Sequence, residues 1–389
     1  THAAVCFCLW RVLNLIHRGA PALLATAFFA FLYANLEAVI WHHITAYVVF
    51  ALLILVAMEM ALRHAAGGTG GRQYFAGMVL VLSLALFTYE VGLWYCLCFL
   101  FFFCAHTSDP VERRKQAGWF LLPCLLYAAA SLANALWLKA AVLQETKVLA
   151  GGFDLFKTVQ NFFITLKWDI FSGLFLTNAD VVPHARLAVA ENVFSWAWPL
   201  AVFKPYYLLG MLMVIALGVF LWQGRRGIGI AQKRLLGWLG MMLAGYVLII
   251  VIGRVNPLGF AQGMLSTLYY LYNFWVIFIV FLYAAASAVI GKGGRAGRIT
   301  GWVLSVLMVA FILCNAVMVY RQNRLVEYLY KPTWTFVDHL NRVVDAHGKE
   351  PDFSFYVRPD YPGNYLGRWF IKGKPERIFS FAEILYPQF

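Results

Sequence analysis

Two long apolar blocks, each with an acid near its centre, constrain the fold of this chain more than any other feature. The first block lies between Arg18 and Arg63 and contains Glu37, and the second follows Arg72 and contains Glu90 before a basic cluster. Basic residues collect on the cytoplasmic side of membrane segments. A block with basic residues at both ends should therefore cross the bilayer an even number of times. We predict that each block is a hairpin of two helices with its acid at the outer tip.

The composition of the chain favours a membrane location. Hydrophobic residues make up 62% of the sequence and charged residues 13%, whereas soluble domains contain about 25% charged residues. Apolar runs long enough to span a hydrocarbon core recur along almost the whole length. The net charge of +13 comes from basic residues in short loops between these runs, where they fix orientation and meet lipid head groups. The sequence therefore predicts a bilayer as partner and no nucleic acid.

The order of apolar runs predicts an all-α polytopic membrane protein with about ten transmembrane helices. The expected spans are residues 1–16, 20–33, 38–62, 73–89, 91–104, 119–138, 207–222, 235–252, 266–290 and 299–320. Between two of these spans, residues 156–170 carry apolar side chains at helical spacing and predict an amphipathic interfacial helix. From residue 321 the sequence becomes charged and aromatic. We therefore predict a transmembrane domain over 1–320 and a small α/β extracytoplasmic tail over 321–389.

Glu37 and Glu90 are the first candidates for chemistry, because an acid kept near hydrocarbon is costly and is a functional-site hypothesis by default. Paired acids in a membrane cavity could bind a metal, act as a general base or carry protons. They could also cap a helix or pair with arginine. His42 and His43 closely follow Glu37 and could be ligands, proton carriers or polar residues at the membrane interface.

Arg254 is a candidate for binding a lipid phosphate. It lies at the predicted outer end of a helix, and Tyr269, Tyr270 and Tyr272 begin the next span. The planar guanidinium matches phosphate oxygens and stacks on aromatic rings. The alternative is that this arginine only anchors its helix at the interface.

Four short motifs, in this order and spacing, resemble a known family over most of the chain. Residues 35–41, with Glu37 followed by Ala-Val-Ile-Trp, resemble the second hairpin of GT-C superfamily membrane glycosyltransferases, most closely bacterial relatives of the protein O-mannosyltransferases. Residues 84–90, an apolar run ending in Thr-Tyr-Glu, resemble the next marker of that family. Residues 269–272 are similar to its Arg-Tyr-Leu-Tyr element, with tyrosine replacing the arginine. Residues 353–357 resemble the strand that often ends these chains.

The resemblance implies a hexosyltransferase of the bacterial inner membrane. Such enzymes transfer a sugar from a polyprenyl-phosphate donor to a glycan or protein acceptor on the outer face. It implies catalytic roles for Glu37 and Glu90, with a divalent cation as one cofactor that these acids could hold. It also implies a substrate-binding group, namely His42, His43, Arg254 and Tyr269.

The first predicted helix also bears on this resemblance. The usual catalytic acid of the family lies in the loop between the first and second helices. Residues 1–16 resemble the second helix, so we expect the chain to be N-terminally incomplete and to lack that loop.

Two other classes remain open from the sequence. A membrane polysaccharide polymerase or ligase would use the same lipid-linked sugars, with arginines and a histidine in one long outer loop. Residues 139–203 contain Arg186 and His184, so this alternative stands. A secondary transporter would show internal repeats and helices broken by Gly or Pro in matching halves, and no such symmetry extends along the chain. A purely structural subunit would not need the two central acids.

Overall fold

The structure is a computed structural model. It describes residues 1–32, 35, 45–66, 71–89, 91–107, 109–141, 228–253, 271–290, most of 301–320, and residues 342 and 346. Two compact units divide the chain, Thr1–Met318 and Val319–Phe389, and the helices described below belong to the first. The predicted interfacial helix, the predicted span over 207–222 and nearly all of the predicted tail lie outside the described residues.

All regular structure in the described part of the chain is helical. The elements are α1 His2–Ile16, α2 Ala20–Phe31, α3 Thr45–Ala65, α4 Gly71–Thr88, α5 Gly92–His106, α6 Pro110–Ala141, α7 Ile230–Gly253 and α8 Tyr272–Ile290. A shorter apolar helical stretch covers Met308–Val317. These bounds confirm the all-α fold class for the described residues and place most helices within a few residues of the apolar runs that predicted them.

Among the described residues, three helices are long and apolar enough to cross a membrane, namely α3, α4 and the part of α6 from Pro110 to Asn134. Large apolar side chains also lie on the outside of the bundle, where Leu80, Phe101 and Leu125 are each more than 60% exposed. A soluble monomer rarely exposes so much apolar surface. Helix length, composition and this outer surface together define a helical membrane protein.

The helices of each apolar block run in opposite directions. At the start of α4, Phe75 contacts Phe103 at the end of α5, with ring centroids 5.4 Å apart, so these two helices are antiparallel. In the first block, the end of α2 lies beside the start of α1, because the His2 ring approaches the carbonyl oxygen of Ala30 at 3.3 Å. In contrast, α3 ends beside the end of α1, since both helix ends line one cavity. Neither block is therefore a single straight helix.

These directions give the bundle two different ends. At the end that we call the basic end, α1, α3, α5 and α8 terminate and α7 begins. At the opposite end, which we call the tip end, α3, α5 and α8 begin and α2, α4 and α7 terminate. The sequences that contain Glu37 and Glu90 join helices at the tip end, whereas Arg18 and Arg63 belong to the basic end.

Two helices begin earlier than the apolar pattern predicts. The predicted span began at Trp119, but α6 starts at Pro110, and the Asp109 carboxylate accepts a 3.0 Å hydrogen bond from the Val111 amide. An aspartate cap followed by proline at the first helical position is a strong start signal. Similarly, α7 starts at Ile230 instead of Leu235. The charged residues just before the two predicted spans therefore belong to the first turns of helices and not to loops.

A buried ion pair joins α1 to α3 near the basic end. One Glu59 oxygen accepts hydrogen bonds from Arg11 at 2.5 Å and from Arg63 at 2.8 Å. Glu59 is 6% exposed, and a buried carboxylate is tolerated when it is paired and hydrogen-bonded. This glutamate was not singled out from the sequence, although an acid four residues before an arginine in an apolar helix is a recognisable signal.

Candidate functional site

All six residues predicted to form the site lie outside the described residues. These are Glu37, Glu90, His42, His43, Arg254 and Tyr269. Their roles stay predictions. The structure does describe the helix ends next to them in sequence, and these ends show which parts of the bundle the predicted site adjoins.

Tyr89, the residue before Glu90, packs against the start of α3. Its ring is edge-on to Tyr47 and to Phe50, with centroid distances of 4.9 Å and 5.3 Å. The helix α3 follows the sequence that contains Glu37. The described ends of the two predicted hairpins are therefore in direct contact at the tip end, which is the arrangement that a shared site requires.

Below this contact lies a buried group that we call the polar layer, formed by Tyr89, Tyr95, Tyr246 and Asn273. The rings of Tyr95 and Tyr246 stack with centroids 6.2 Å apart and an interplanar angle of 7°. Phe50 stacks on the other side of Tyr95 at 5.5 Å. The Asn273 side chain lies beside the Tyr246 hydroxyl. Tyr89 directly follows α4, Tyr95 and Asn273 lie in the first turns of α5 and α8, and Tyr246 lies about two turns before the end of α7.

Two members of the polar layer have polar atoms without hydrogen-bond partners. Within the part of the chain that the structure describes, the Tyr95 hydroxyl and both the oxygen and the nitrogen of the Asn273 amide make no well-formed hydrogen bond, and the two residues are 0% and 2% exposed. Leaving such a group unsatisfied costs about 1–3 kcal/mol. Buried polar groups in native proteins nearly always have a partner, from the protein or from an ordered water. The layer is thus suited to bind a water or a hydroxyl-bearing ligand.

A second polar group lies at the tip end beside the Tyr269–Tyr272 element. The Nδ1 atom of His2 is 2.6 Å from the Tyr272 hydroxyl, and Nε2 is 3.3 Å from the Ala30 carbonyl oxygen. Because a carbonyl only accepts, Nε2 carries the proton and Nδ1 accepts from Tyr272. Nearby, Asn35 donates to the Phe29 carbonyl at 2.9 Å, while its side-chain oxygen has no partner among the described residues. The start of α8 is therefore fixed to both α1 and α2.

Among the described residues, no three His, Cys, Asp or Glu side chains come together as a metal site. The residues that the sequence suggests as metal ligands lie outside the described residues, namely Glu37, Glu90, His42 and His43. The described part of the tip end offers hydroxyl and amide groups instead. These groups can hydrogen-bond a neutral polar ligand.

Sequence reasoning missed Tyr95, Tyr246 and Asn273. A single amide in the otherwise apolar run of α8 was a usable signal for Asn273, because polar residues within membrane helices often mark function. The two tyrosines gave no signal, since tyrosine is common near membrane interfaces. Only the crossing of α5 and α7 brings their rings together.

No family model, curated protein or solved structure matches this chain. The likeness to the GT-C superfamily therefore depends on the motifs of the sequence itself. The fold and the apolar surface establish the class, a helical membrane protein.

Proposed function

We propose that this protein is a GT-C-like membrane glycosyltransferase. It transfers a hexose from a polyprenyl-phosphate donor to a glycan or protein acceptor on the extracytoplasmic side of a bacterial inner membrane, which it crosses many times. The observation that carries this proposal is the polar layer at the tip end. There, Tyr95 and Asn273 have polar atoms without a hydrogen-bond partner among the described residues, and the neighbouring helix ends adjoin Glu37 and Glu90 in sequence.

The chemistry of the polar layer suits a sugar. A hexose presents several hydroxyls that both donate and accept, and an amide and a phenol can pair with them. Binding sites of this kind are mostly apolar and aromatic, with a few placed polar groups. Tyr47, Phe50 and Tyr89 supply the aromatic surface, and Tyr95 and Asn273 supply polar groups. The outer apolar surface of the helices would accommodate a polyprenyl chain.

The site residues that were predicted from the sequence have separate roles in this reaction. Glu37 or Glu90 is the general base that removes a proton from the acceptor hydroxyl, or holds a divalent cation against the donor phosphate. Arg254 contacts the phosphate, because its planar fork gives two parallel hydrogen bonds to phosphate oxygens. His42, His43 and Tyr269 bind the substrate around these groups.

The test uses the chain in nanodiscs with decaprenyl-phosphate-linked hexoses. Two quantities are measured: retention of the donor by native mass spectrometry and, with a cell-envelope glycan added so that its hydroxyl accepts the hexose, release of free decaprenyl phosphate. E37Q and E90Q should lower release at least about tenfold, since general acid–base catalysis contributes about 10²–10⁴-fold. R254Q should weaken donor retention about tenfold, since a hydrogen bond to a charged group contributes about 1.5–3 kcal/mol.

E112Q and R114Q are the matched controls, because they make the same chemical changes in the exposed basic cluster. Both should behave like the unmodified chain. Donor retention that is equal in R254Q and R114Q, or the absence of any retained donor, would refute the proposal. Passage of the intact donor across the bilayer without release of decaprenyl phosphate would favour a transporter.

A further inference from the structure

The basic end of the bundle contains a half-open cavity of about 330 Å³. It lies where α1, α3, α5 and α8 end and α7 begins, and about two helical turns or more separate it from the polar layer along every helix that reaches both. Its volume falls in the range of small-molecule sites, about 300–1,000 Å³. Nothing in the proposed transfer reaction uses it.

The cavity wall is apolar and its rim is polar. The apolar side chains come from the last or first turns of the helices and include Leu15, Ile16, Leu62, Phe102, Leu235 and Leu236. The rim carries His17, His106, Gln232 and Ser287. Two hydrogen bonds fix this rim: the Tyr283 hydroxyl donates to the His17 carbonyl at 2.6 Å, and His106 Nδ1 donates to the Phe102 carbonyl at 2.7 Å. Apolar walls with a polar rim suit an amphipathic ligand.

The charge around the rim is positive and is not neutralised. Arg18 follows the rim residue His17, and Lys233 and Arg234 lie between two cavity-lining residues of α7. All three are exposed, and none pairs with an acid among the described residues.

Other basic side chains nearby are already engaged. Arg11 and Arg63 share Glu59, and Arg113 donates two hydrogen bonds to the Thr107 carbonyl at 2.9 Å and 3.2 Å. Among the described basic residues that adjoin the cavity in sequence, Arg18, Lys233 and Arg234 are therefore available to attract an anion.

We propose that this cavity binds an anionic glycerophospholipid of the surrounding membrane. The phosphate sits at the rim near Arg18, Lys233 and Arg234, and the first part of an acyl chain packs against the apolar wall. Basic pockets between membrane helices are known to take anionic lipid head groups. The six apolar lining residues favour a lipid over a soluble phosphate, because a small ion would leave that wall uncovered. This site is independent of sugar transfer.

The experiment places the full chain in nanodiscs with equal amounts of phosphatidylglycerol and phosphatidylcholine, and native mass spectrometry identifies the retained lipids. The chain should retain phosphatidylglycerol in preference. Replacing all three basic residues (R18Q, K233Q and R234Q together) should lower that retention at least about tenfold, since each basic residue near an anionic surface contributes favourably. The control variant R72Q/R114Q/K115Q loses the same charge at residues that neither line the cavity nor directly adjoin a lining residue in sequence, and it should retain the lipid.

A second variant tests the cavity itself. A231F places a ring at an exposed position that lines the cavity, and it should reduce phosphatidylglycerol retention without changing the net charge. Its apparent melting temperature reports whether it is folded. The proposal is overturned if phosphatidylcholine is retained equally, if the two triple variants lose the same amount, or if A231F retains phosphatidylglycerol fully. Displacement of the lipid by millimolar inorganic phosphate would show a site for a soluble anion instead.

Discussion

Replacing Asn273 should affect the stability of the chain and its binding of the donor in different ways. Its amide is buried, and among the described residues neither of its polar atoms makes a well-formed hydrogen bond, although the Tyr246 hydroxyl lies beside it, so its desolvation is poorly compensated. Replacing an unsatisfied polar group by an apolar group of similar shape is close to neutral or stabilising. N273L should therefore keep or raise the apparent melting temperature of the chain in nanodiscs. The same variant should lower the retention of decaprenyl-phosphate-linked hexose about tenfold, because the donor would lose one or two hydrogen bonds.

Asn315 provides the matched control for this prediction. It is also buried, but its side-chain nitrogen donates to the Phe311 carbonyl at 2.8 Å. N315L should lower the melting temperature because it removes a hydrogen bond that is made, and it should leave donor retention unchanged. If N273L is the less stable of the two and retains the donor fully, the polar layer has a purely structural role.

At the scale of the elements, two glycines set how closely helices approach. A Cβ atom at Gly92 would lie 2.6 Å from the Leu86 Cα atom in the turn between α4 and α5. A Cβ atom at Gly245 would overlap the Trp94 indole ring, where α7 crosses α5. Both substitutions require the helices to move apart, and Trp94 also donates to the Met241 carbonyl at 3.2 Å.

G92A and G245A should each destabilise the chain by about 1–3 kcal/mol, the usual cost of overpacking. The measurement is the apparent melting temperature in nanodiscs. G118A and G237A are the controls, because a Cβ at either glycine would meet nothing within 4 Å. There, alanine has the better helix propensity and should be neutral or slightly stabilising. Equal effects at all four positions would contradict the packing described for α4, α5 and α7.

The helices could be predicted from the sequence because long apolar runs determine them. The runs at residues 1–16, 20–33 and 91–104 match α1, α2 and α5 closely. The start of α6 was predicted nine positions too late, since charged side chains were given more weight than the Asp109–Pro110 cap. The pairing of Glu59 with two arginines and the stacking of Tyr95 on Tyr246 could not be predicted. They depend on which helices cross, and hydrophobic periodicity carries no information on partners.

At the scale of the whole molecule, the two ends of the bundle differ in chemistry. Basic side chains, an ion pair and an amphipathic cavity occupy one end. Aromatic rings and unpaired buried polar groups occupy the other, next to the sequences that contain Glu37 and Glu90. This polarity follows from the hairpin pattern of the two apolar blocks, because each hairpin returns its flanking basic residues to the same side. The proposed sugar transfer therefore requires that the polyprenyl-phosphate donor bind at the tip end and not at the basic end.

Photocrosslinking of a decaprenyl-phosphate hexose that carries a diazirine on the sugar tests this requirement most directly. The chain is irradiated in liposomes with the probe, and the adducts are located by peptide mass spectrometry. The account predicts adducts at the tip end, on peptides around Tyr47, Tyr89 and Tyr95, and their loss when unlabelled donor is added or when Arg254 is replaced in R254Q. Adducts confined to the basic end, or adducts that unlabelled donor does not reduce, would contradict it.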